Sequence, residues 1–256
     1  MHVDIHEGEI VAVVGASGSG KSLLAHAVLG ILPGNAISSG TILYKGEELS
    51  QKRKEQLRGK EISFIPQSVN YLDPLMSVGR QVQIGLDKKN AQARQEELFA
   101  QYGLKKSDGG LLPFQLSGGM LRRVMFATSV REGVKLVIAD EPTPGIHPQA
   151  LSEILKQLKQ FANEGAGVML ITHDIMSALE IADRVAVLKD GTTVEIAEAQ
   201  AFEGRGERLN MEYTQRLWRA LPHNDFDLEF KEQEVNGRGI SRGKFKPFLS
   251  QGALDF

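Results

Sequence analysis

Gly15-Ala16-Ser17-Gly18-Ser19-Gly20-Lys21-Ser22 fills every position of the pattern G-x-x-x-x-G-K-[ST]. It stands between an apolar, β-rich run (Ile10-Val11-Ala12-Val13-Val14) and a run of helical character (Leu23-Leu24-Ala25-His26-Ala27-Val28-Leu29). Strand, loop and helix in that order give the letters a mechanism. The glycines let the backbone turn tightly enough to aim several N–H groups at a phosphate chain. Lys21 reaches the β- and γ-phosphates, and Ser22 offers a hydroxyl to Mg²⁺. The helix that follows presents the positive end of its dipole to the same anion. Without these flanks the octapeptide is a Gly/Ser-rich turn; with them it predicts binding of a nucleoside triphosphate.

The strands and helices around this loop repeat its pattern. Gly40 to Glu47 reads as a strand entering a turn, Gln51 to Lys60 as a charged, exposed helix, and Ile62 to Pro66 as a short strand closed by proline. From Ser68 to Val130 the apolar residues take helical spacing, as in Glu97-Leu98-Phe99-Tyr102-Leu104. Strands return at Lys135–Ala139 and Gly167–Ile171, with an amphipathic helix from Gln149 to Glu164 between them (Leu151, Ile154, Leu155, Leu158, Phe161). A last strand, Arg184–Leu188, meets a turn at Lys189-Asp190-Gly191. Continuous apolar strands separated by helices predict an α/β fold with a mostly parallel sheet covered on both faces. The segment from His223 onward is polar, with few apolar anchors after Phe230, and reads as a loosely ordered tail.

With 256 residues the chain has room for one large α/β domain carrying one subdomain. Hydrophobic residues are 41% and charged residues 24%, and 30 basic against 32 acidic residues leave a net charge of −2, so no global nucleic-acid footprint is expected. The absence of cysteine excludes disulfides, iron–sulfur clusters and thiolate zinc sites. No apolar run is long enough to span a bilayer and no signal peptide is evident. A cytosolic protein is expected, with any membrane role coming through a partner.

Further residues carry chemistry. Leu136-Val137-Ile138-Ala139-Asp140-Glu141 is an apolar strand ending in two carboxylates. Such an end is also a common solvated strand terminus, but beside a phosphate loop Asp140 can serve Mg²⁺ and Glu141 the water that attacks the γ-phosphate. Leu116-Ser117-Gly118-Gly119-Met120 precedes a helix, Leu121 to Val130. Ser117 there is either a simple N-cap or part of a second anion site made of a hydroxyl, glycine amides and a helix dipole. A phosphate already cradled by residues 15–22 has no need of it, so the second site would serve a nucleotide on another subunit. Gln67, just past a strand, is either a surface glutamine or an amide ligand for Mg²⁺ or water. His173 in Leu170-Ile171-Thr172-His173-Asp174 lies at the carboxyl end of a buried strand, where ligands bind in such sheets.

In this order the elements resemble the nucleotide-binding subunit of ABC transporters. The resemblance covers roughly residues 3–222 and implies a P-loop NTPase (RecA-like) core at 1–67 and 131–222 with an inserted α-helical subdomain at 68–130 and a tail at 223–256. It identifies Gly15 to Ser22 as the phosphate loop, Gln67 as the Q-loop, Leu116-Ser117-Gly118-Gly119-Met120 as the signature, Val137–Glu141 as Walker B and His173 as the switch histidine. By the same resemblance Glu141, His173 and Gln67 act in catalysis, Ser22, Gln67 and Asp140 hold Mg²⁺, and Ser117, Gly118 and Gly119 contact ATP in trans. Two further stretches are similar to the dipeptide, oligopeptide and nickel importers: Asn70-Tyr71-Leu72-Asp73-Pro74-Leu75-Met76-Ser77-Val78-Gly79-Arg80-Gln81, and Met211 to Pro222. Met120, where the signature usually has glutamine, is similar to the nickel-type branch. The implied partners are a second ATPase subunit in a heterodimer, transmembrane permease subunits that dock onto residues 68–130, and indirectly a substrate-binding protein, with no nucleic acid. The implied place is the cytoplasmic face of the membrane.

Departures from the family pattern set three further expectations. The family has a strand ahead of residue 1 with an aromatic that stacks on adenine, whereas Met1-His2-Val3-Asp4-Ile5 would lie inside the second strand, and neither His2 nor His6 replaces the aromatic. Either the start is misassigned or this subunit is expected to bind adenine weakly, the loss of one stacking contact lowering affinity several-fold. His147 stands where an aspartate usually links the two ATP sites, and the cysteine-bearing tail of the importers is absent. These features keep a non-hydrolysing or regulatory cassette open as the alternative. A soluble cassette for DNA maintenance or translation fits less well, because the loop-to-signature segment has no room for a coiled coil and there is one cassette only.

Overall fold

In the computed structural model of the protein the described residues are 1–129, 133–142 and 148–224, with the side chains of 148–150 and 223 set aside. Val130, His147 and nearly all of the expected tail lie outside them.

In chain order the elements are β1 (Ile10–Gly15), α1 (Lys21–Leu29), β2 (Leu43–Tyr44), β3 (Glu47–Glu48), α2 (Gln51–Leu57), β4 (Ile62–Ile65), α3 (Val78–Gln83), α4 (Ala91–Gln101), α5 (Gly118–Ser129), β5 (Leu136–Asp140), α6 (Pro148–Asn163), β6 (Gly167–Ile171), α7 (Ile175–Leu179), β7 (Arg184–Lys189), β8 (Thr192–Glu198) and α8 (Glu212–Arg219). Six strands form one sheet in the order β4-β5-β6-β1-β7-β8. Every pairing in it is parallel except β7 with β8.

Alternation along the strands explains why they are apolar throughout. Successive side chains of a strand point to opposite faces. Ile10, Ala12 and Val14 of β1 join one buried cluster with Val137, Ala139, Val168, Leu170, Val185 and Val187, against helices α3 to α6. Val11 and Val13 join a second with Ile138, Met169, Ile171, Ala186 and Leu188, against α1 and Leu57 of α2. Both faces are covered, as parallel strands require. The first cluster runs without a break from the sheet into α3, α4 and α5. Reciprocal hydrogen bonds tie α5 to the edge strand: Ser63 donates to the Ser129 carbonyl (2.5 Å) and Ser129 to the Phe64 carbonyl (2.9 Å).

The local expectations need four corrections. Helix α2 stops at Leu57 rather than Lys60, because Arg58 is extended and Gly59, at φ 72°, turns the chain so that its N–H donates to the Ile62 carbonyl. Residues 1–8 join no strand, although Val3 and Ile5 pack on the second cluster. The strand expected over 40–47 is two residues of a small hairpin, β2–β3. And β7 is not the last strand. Asp190 and Gly191, at φ 48° and 77°, make the two-residue turn that sends the chain back as β8. Among the described residues no helix is long and apolar enough to cross a membrane.

Candidate active site

Strands β1, β5 and β6 are neighbours, and their carboxyl ends deliver the phosphate loop, Asp140-Glu141 and Thr172-His173 to one edge of the sheet. The register does the placing: Asp140 of β5 is opposite Ile171 of β6, and Val13 of β1 is opposite the same Ile171. This edge is where ligands sit in open parallel sheets.

The loop leaves β1 at Gly15, whose added Cβ would stand 2.2 Å from the Leu188 carbonyl oxygen, so only glycine fits. Gly18 and Gly20 take φ 81° and 93°, the left-handed region. Ala16, Ser17 and Gly18 are exposed at the crest, while Lys21 is 8% exposed. The Lys21 ammonium donates to the Gly15 and Ala16 carbonyls at 2.9 and 3.2 Å, so the amine is already held over the loop it closes. The Gly191 N–H of the β7–β8 turn donates to the Ser19 carbonyl at 3.2 Å and braces the loop from behind. The reading of the sequence missed that brace, although Asp-Gly ahead of a β-branched run is a hairpin signal.

At the second residue of α1, the Ser22 hydroxyl donates to Asp140 at 3.1 Å, joining residues far apart in the chain. Burial, helped by neighbouring Glu141, pushes the Asp140 carboxyl above its ordinary range, while Ser22, His26 and Lys21 pull it down. A hydroxyl beside a buried carboxylate whose charge is poorly satisfied is the donor set a hard divalent cation favours. The residues present therefore fit Mg²⁺.

Glu141 is 9% exposed and adopts φ 45°, a left-handed conformation that a side chain makes unfavourable by about 1–2 kcal/mol. Its N–H donates to the Ile171 carbonyl at 2.8 Å. Its carboxylate lies 2.6 Å from His173 Nδ1. His173 keeps its ring 65% exposed while its backbone is fixed between buried Thr172, whose N–H donates to Val13, and Asp174, which caps α7. A base aimed by strain and oriented by a histidine at an open edge can polarise a water. Gln67 is exposed two residues past Ile65, the last residue of β4, which pairs with Ala139 of β5.

Ser117, Gly118 and Gly119 are also exposed, at the start of α5. The Ser117 hydroxyl accepts from the Met120 N–H at 3.3 Å, so it caps the helix. A Cβ added at Gly118 or Gly119 would meet no described residue within 4 Å, and neither glycine has a positive φ. Among the described residues nothing requires glycine at either position.

Residues 1–144 match the ABC transporter family profile. The oligopeptide transport ATP-binding protein OppD of Lactococcus lactis subsp. cremoris is 35% identical over 86% of this chain and 68% of its own length. The dipeptide transport ATP-binding protein DppD of Escherichia coli is 34% identical over 94% of this chain and 76% of its own. The peptidoglycan transport ATP-binding protein YejF of Agrobacterium fabrum reaches 38% over 87% of this chain, which spans 43% of that protein. Among solved structures, a dimeric ATP-binding cassette in a post-hydrolysis state bound to ADP and Pi superposes with a TM-score of 0.68 at 26% identity, covering 77% of this chain and 88% of that one.

Proposed function

Because the chain belongs to the ABC transporter family, as an ATP-binding subunit and an ATPase, we propose that it powers a membrane importer whose cargo is peptides. The names of its oligopeptide and dipeptide relatives support that cargo. Met120, which suggested a nickel-type branch, is partly buried and packs against the core, and nickel or metal chelates stay the second candidate cargo.

In this reading the amides of Gly15 to Gly20 and the Lys21 ammonium bind the phosphates. Ser22 and Asp140, with the Gln67 amide, would hold Mg²⁺, which would supply charge neutralisation to the phosphates. Glu141 takes the proton of the attacking water, and His173 keeps the carboxylate aimed at it. Ser117, Gly118 and Gly119 face the ATP of a second ATPase subunit, in a heterodimer seated on permease subunits at the cytoplasmic face of the membrane. A substrate-binding protein would deliver the cargo to the permeases. Residues 68–130 form the subdomain that meets the permeases, and 1–67 with 131–222 form the ATPase core.

The observation that carries hydrolysis is the 2.6 Å contact between His173 and a buried, strained Glu141. Replacing Glu141 by glutamine in the complex assembled with its membrane partners tests it. Loss of a general base lowers turnover about 100-fold or more, with ATP still bound. A wild-type complex in which the other subunit's site alone turns over, indifferent to Glu141→Gln, would instead identify a regulatory cassette.

A further inference from the structure

Arg122 lies on α5 about one helical turn past the exposed Ser117-Gly118-Gly119. Its Nη1 donates to the Pro142 carbonyl at 2.7 Å in a half-buried setting. Pro142, buried, directly follows Glu141. Burial also holds the Arg122 pKa below the usual arginine value, the mark of a poorly hydrated guanidinium, and a charge-assisted hydrogen bond is strong in such surroundings.

Glu141 is thereby fixed on both sides. Ahead of it, β5 is paired with β6 up to Asp140 opposite Ile171, and the Glu141 N–H extends that ladder to the Ile171 carbonyl. Behind it, proline has no N–H for a sheet, and the Pro142 carbonyl goes to Arg122. A left-handed glutamate persists only where its surroundings over-determine it. The surroundings here come from the sheet on one side and from α5 on the other. Arg123, the next residue, turns elsewhere, donating to the Gly103 carbonyl at 3.0 Å.

We propose that Arg122 is a positioning residue that couples the helix meeting the partner's ATP to the backbone aiming Glu141 at this chain's own ATP. This rests on the reading of Ser117 to Gly119 as a site that acts in trans. When ATP across the dimer draws the start of α5 toward it, Arg122 carries the displacement to Pro142, and the strained residue before it moves in turn. Occupancy of one site then sets the catalytic geometry of the other through one side chain.

The test compares Arg122→Met, which keeps the length but removes the donor, with Arg122→Lys, which keeps a cation that can donate. In the complex assembled with its membrane partners, Arg122→Met lowers kcat roughly tenfold, the scale of one charge-assisted hydrogen bond, with KM for ATP unchanged within about twofold. Arg122→Lys recovers most of that loss. An unchanged kcat, a KM that rises in step with the fall in kcat, or no recovery with lysine overturns the proposal. In the nucleotide-free full chain, the Glu141 amide should exchange its hydrogen about tenfold faster in Arg122→Met and near the wild-type rate in Arg122→Lys; equal rates in all three overturn it as well. Glu141→Gln run alongside separates the two readings. If it abolishes turnover while Arg122→Met does not, only the coupling fails; if it leaves turnover intact, the hydrolytic reading fails.

Discussion

Gly119→Ala sets folding against function at one atom. The added Cβ meets no described residue within 4 Å, and the residue sits in the first turn of α5. Alanine in a helix is favoured over glycine by 0.5–1 kcal/mol, and in a first turn the lower figure applies, about 0.5 kcal/mol. For a chain of this size that gain raises the unfolding midpoint by about 1–2 °C. The same methyl occupies the space an anion needs to accept from the helix-start amides. A charge-assisted hydrogen bond lost there is worth about 1.5–3 kcal/mol, so turnover falls about 10- to 100-fold. On the proposed trans reading the defect falls on the partner's ATP, so it should persist when this chain's own phosphate loop is untouched. Calorimetry of the full chain and ATP turnover of the assembled complex are the two measurements. Turnover within twofold of wild type would reduce the glycines to a helix start. A midpoint lowered by several degrees would mean that the chain itself needs them.

Two further perturbations have signs fixed by charge. Folding raises the pKa of Asp140 above its ordinary 3.8, so its charged form disfavours the native state, and this penalty is absent below that value and grows as pH rises through the folded pKa. Asp140→Asn should therefore raise the unfolding midpoint of the nucleotide-free chain at pH 7, with the gain closing toward pH 4, while the Mg²⁺ dependence of ATP binding is lost; a gain equal at both pH values contradicts this. On the opposite end of the sheet Arg184 pairs with Glu9 through both carboxylate oxygens and with Asp4. Burial works against the Glu9 charge, yet the Arg184 hydrogen bond and the His6 amide leave its pKa lowered from 4.5. Arg184→Met should cost about 2 kcal/mol at neutral pH by leaving Glu9 with an unpaired charge, and the cost should shrink as pH falls through the folded pKa of Glu9, which pH-dependent denaturant unfolding will show.

How much of this could be read in advance follows from what each residue answers to. β1, β5, β6 and β7 are buried on both faces, so their composition alone marks them. β8 was missed because it answers to a different demand. Its buried residue is Glu195, turned inward to accept the Asn210 and Met211 N–H groups at 2.7 and 3.1 Å, and a register shift at Val187/Leu188 breaks its alternation. The Ser22–Asp140 contact was legible as chemistry, since a loop that binds Mg²⁺ needs a carboxylate, but its geometry depends on the pairing of β1 with β6 and of β6 with β5. The left-handed Glu141 had no signal at all, because glutamate gives no hint of positive φ. Arg122 carries no sign of its role in the sequence, because its bond to the Pro142 carbonyl depends on how α5 packs beside the end of β5.

The strain at Glu141 has a consequence for which motion can switch this site. Its N–H is held by β6, its carboxylate by His173 at the β6–α7 junction, and the carbonyl after it by α5. The first hold belongs to the buried sheet, and the second comes from a residue two past β6 whose ring is 65% exposed. α5 is different. Its body is tied to β4 near Ser129, but its first turn is exposed, with Gly118 and Gly119 open to approach. A left-handed residue lies about 1–2 kcal/mol above its relaxed form, comparable to one hydrogen bond, so each hold on Glu141 is of the same size as the strain it opposes. On the proposed reading of Ser117 to Gly119, the exposed first turn of α5 is then where a second nucleotide would act on Glu141.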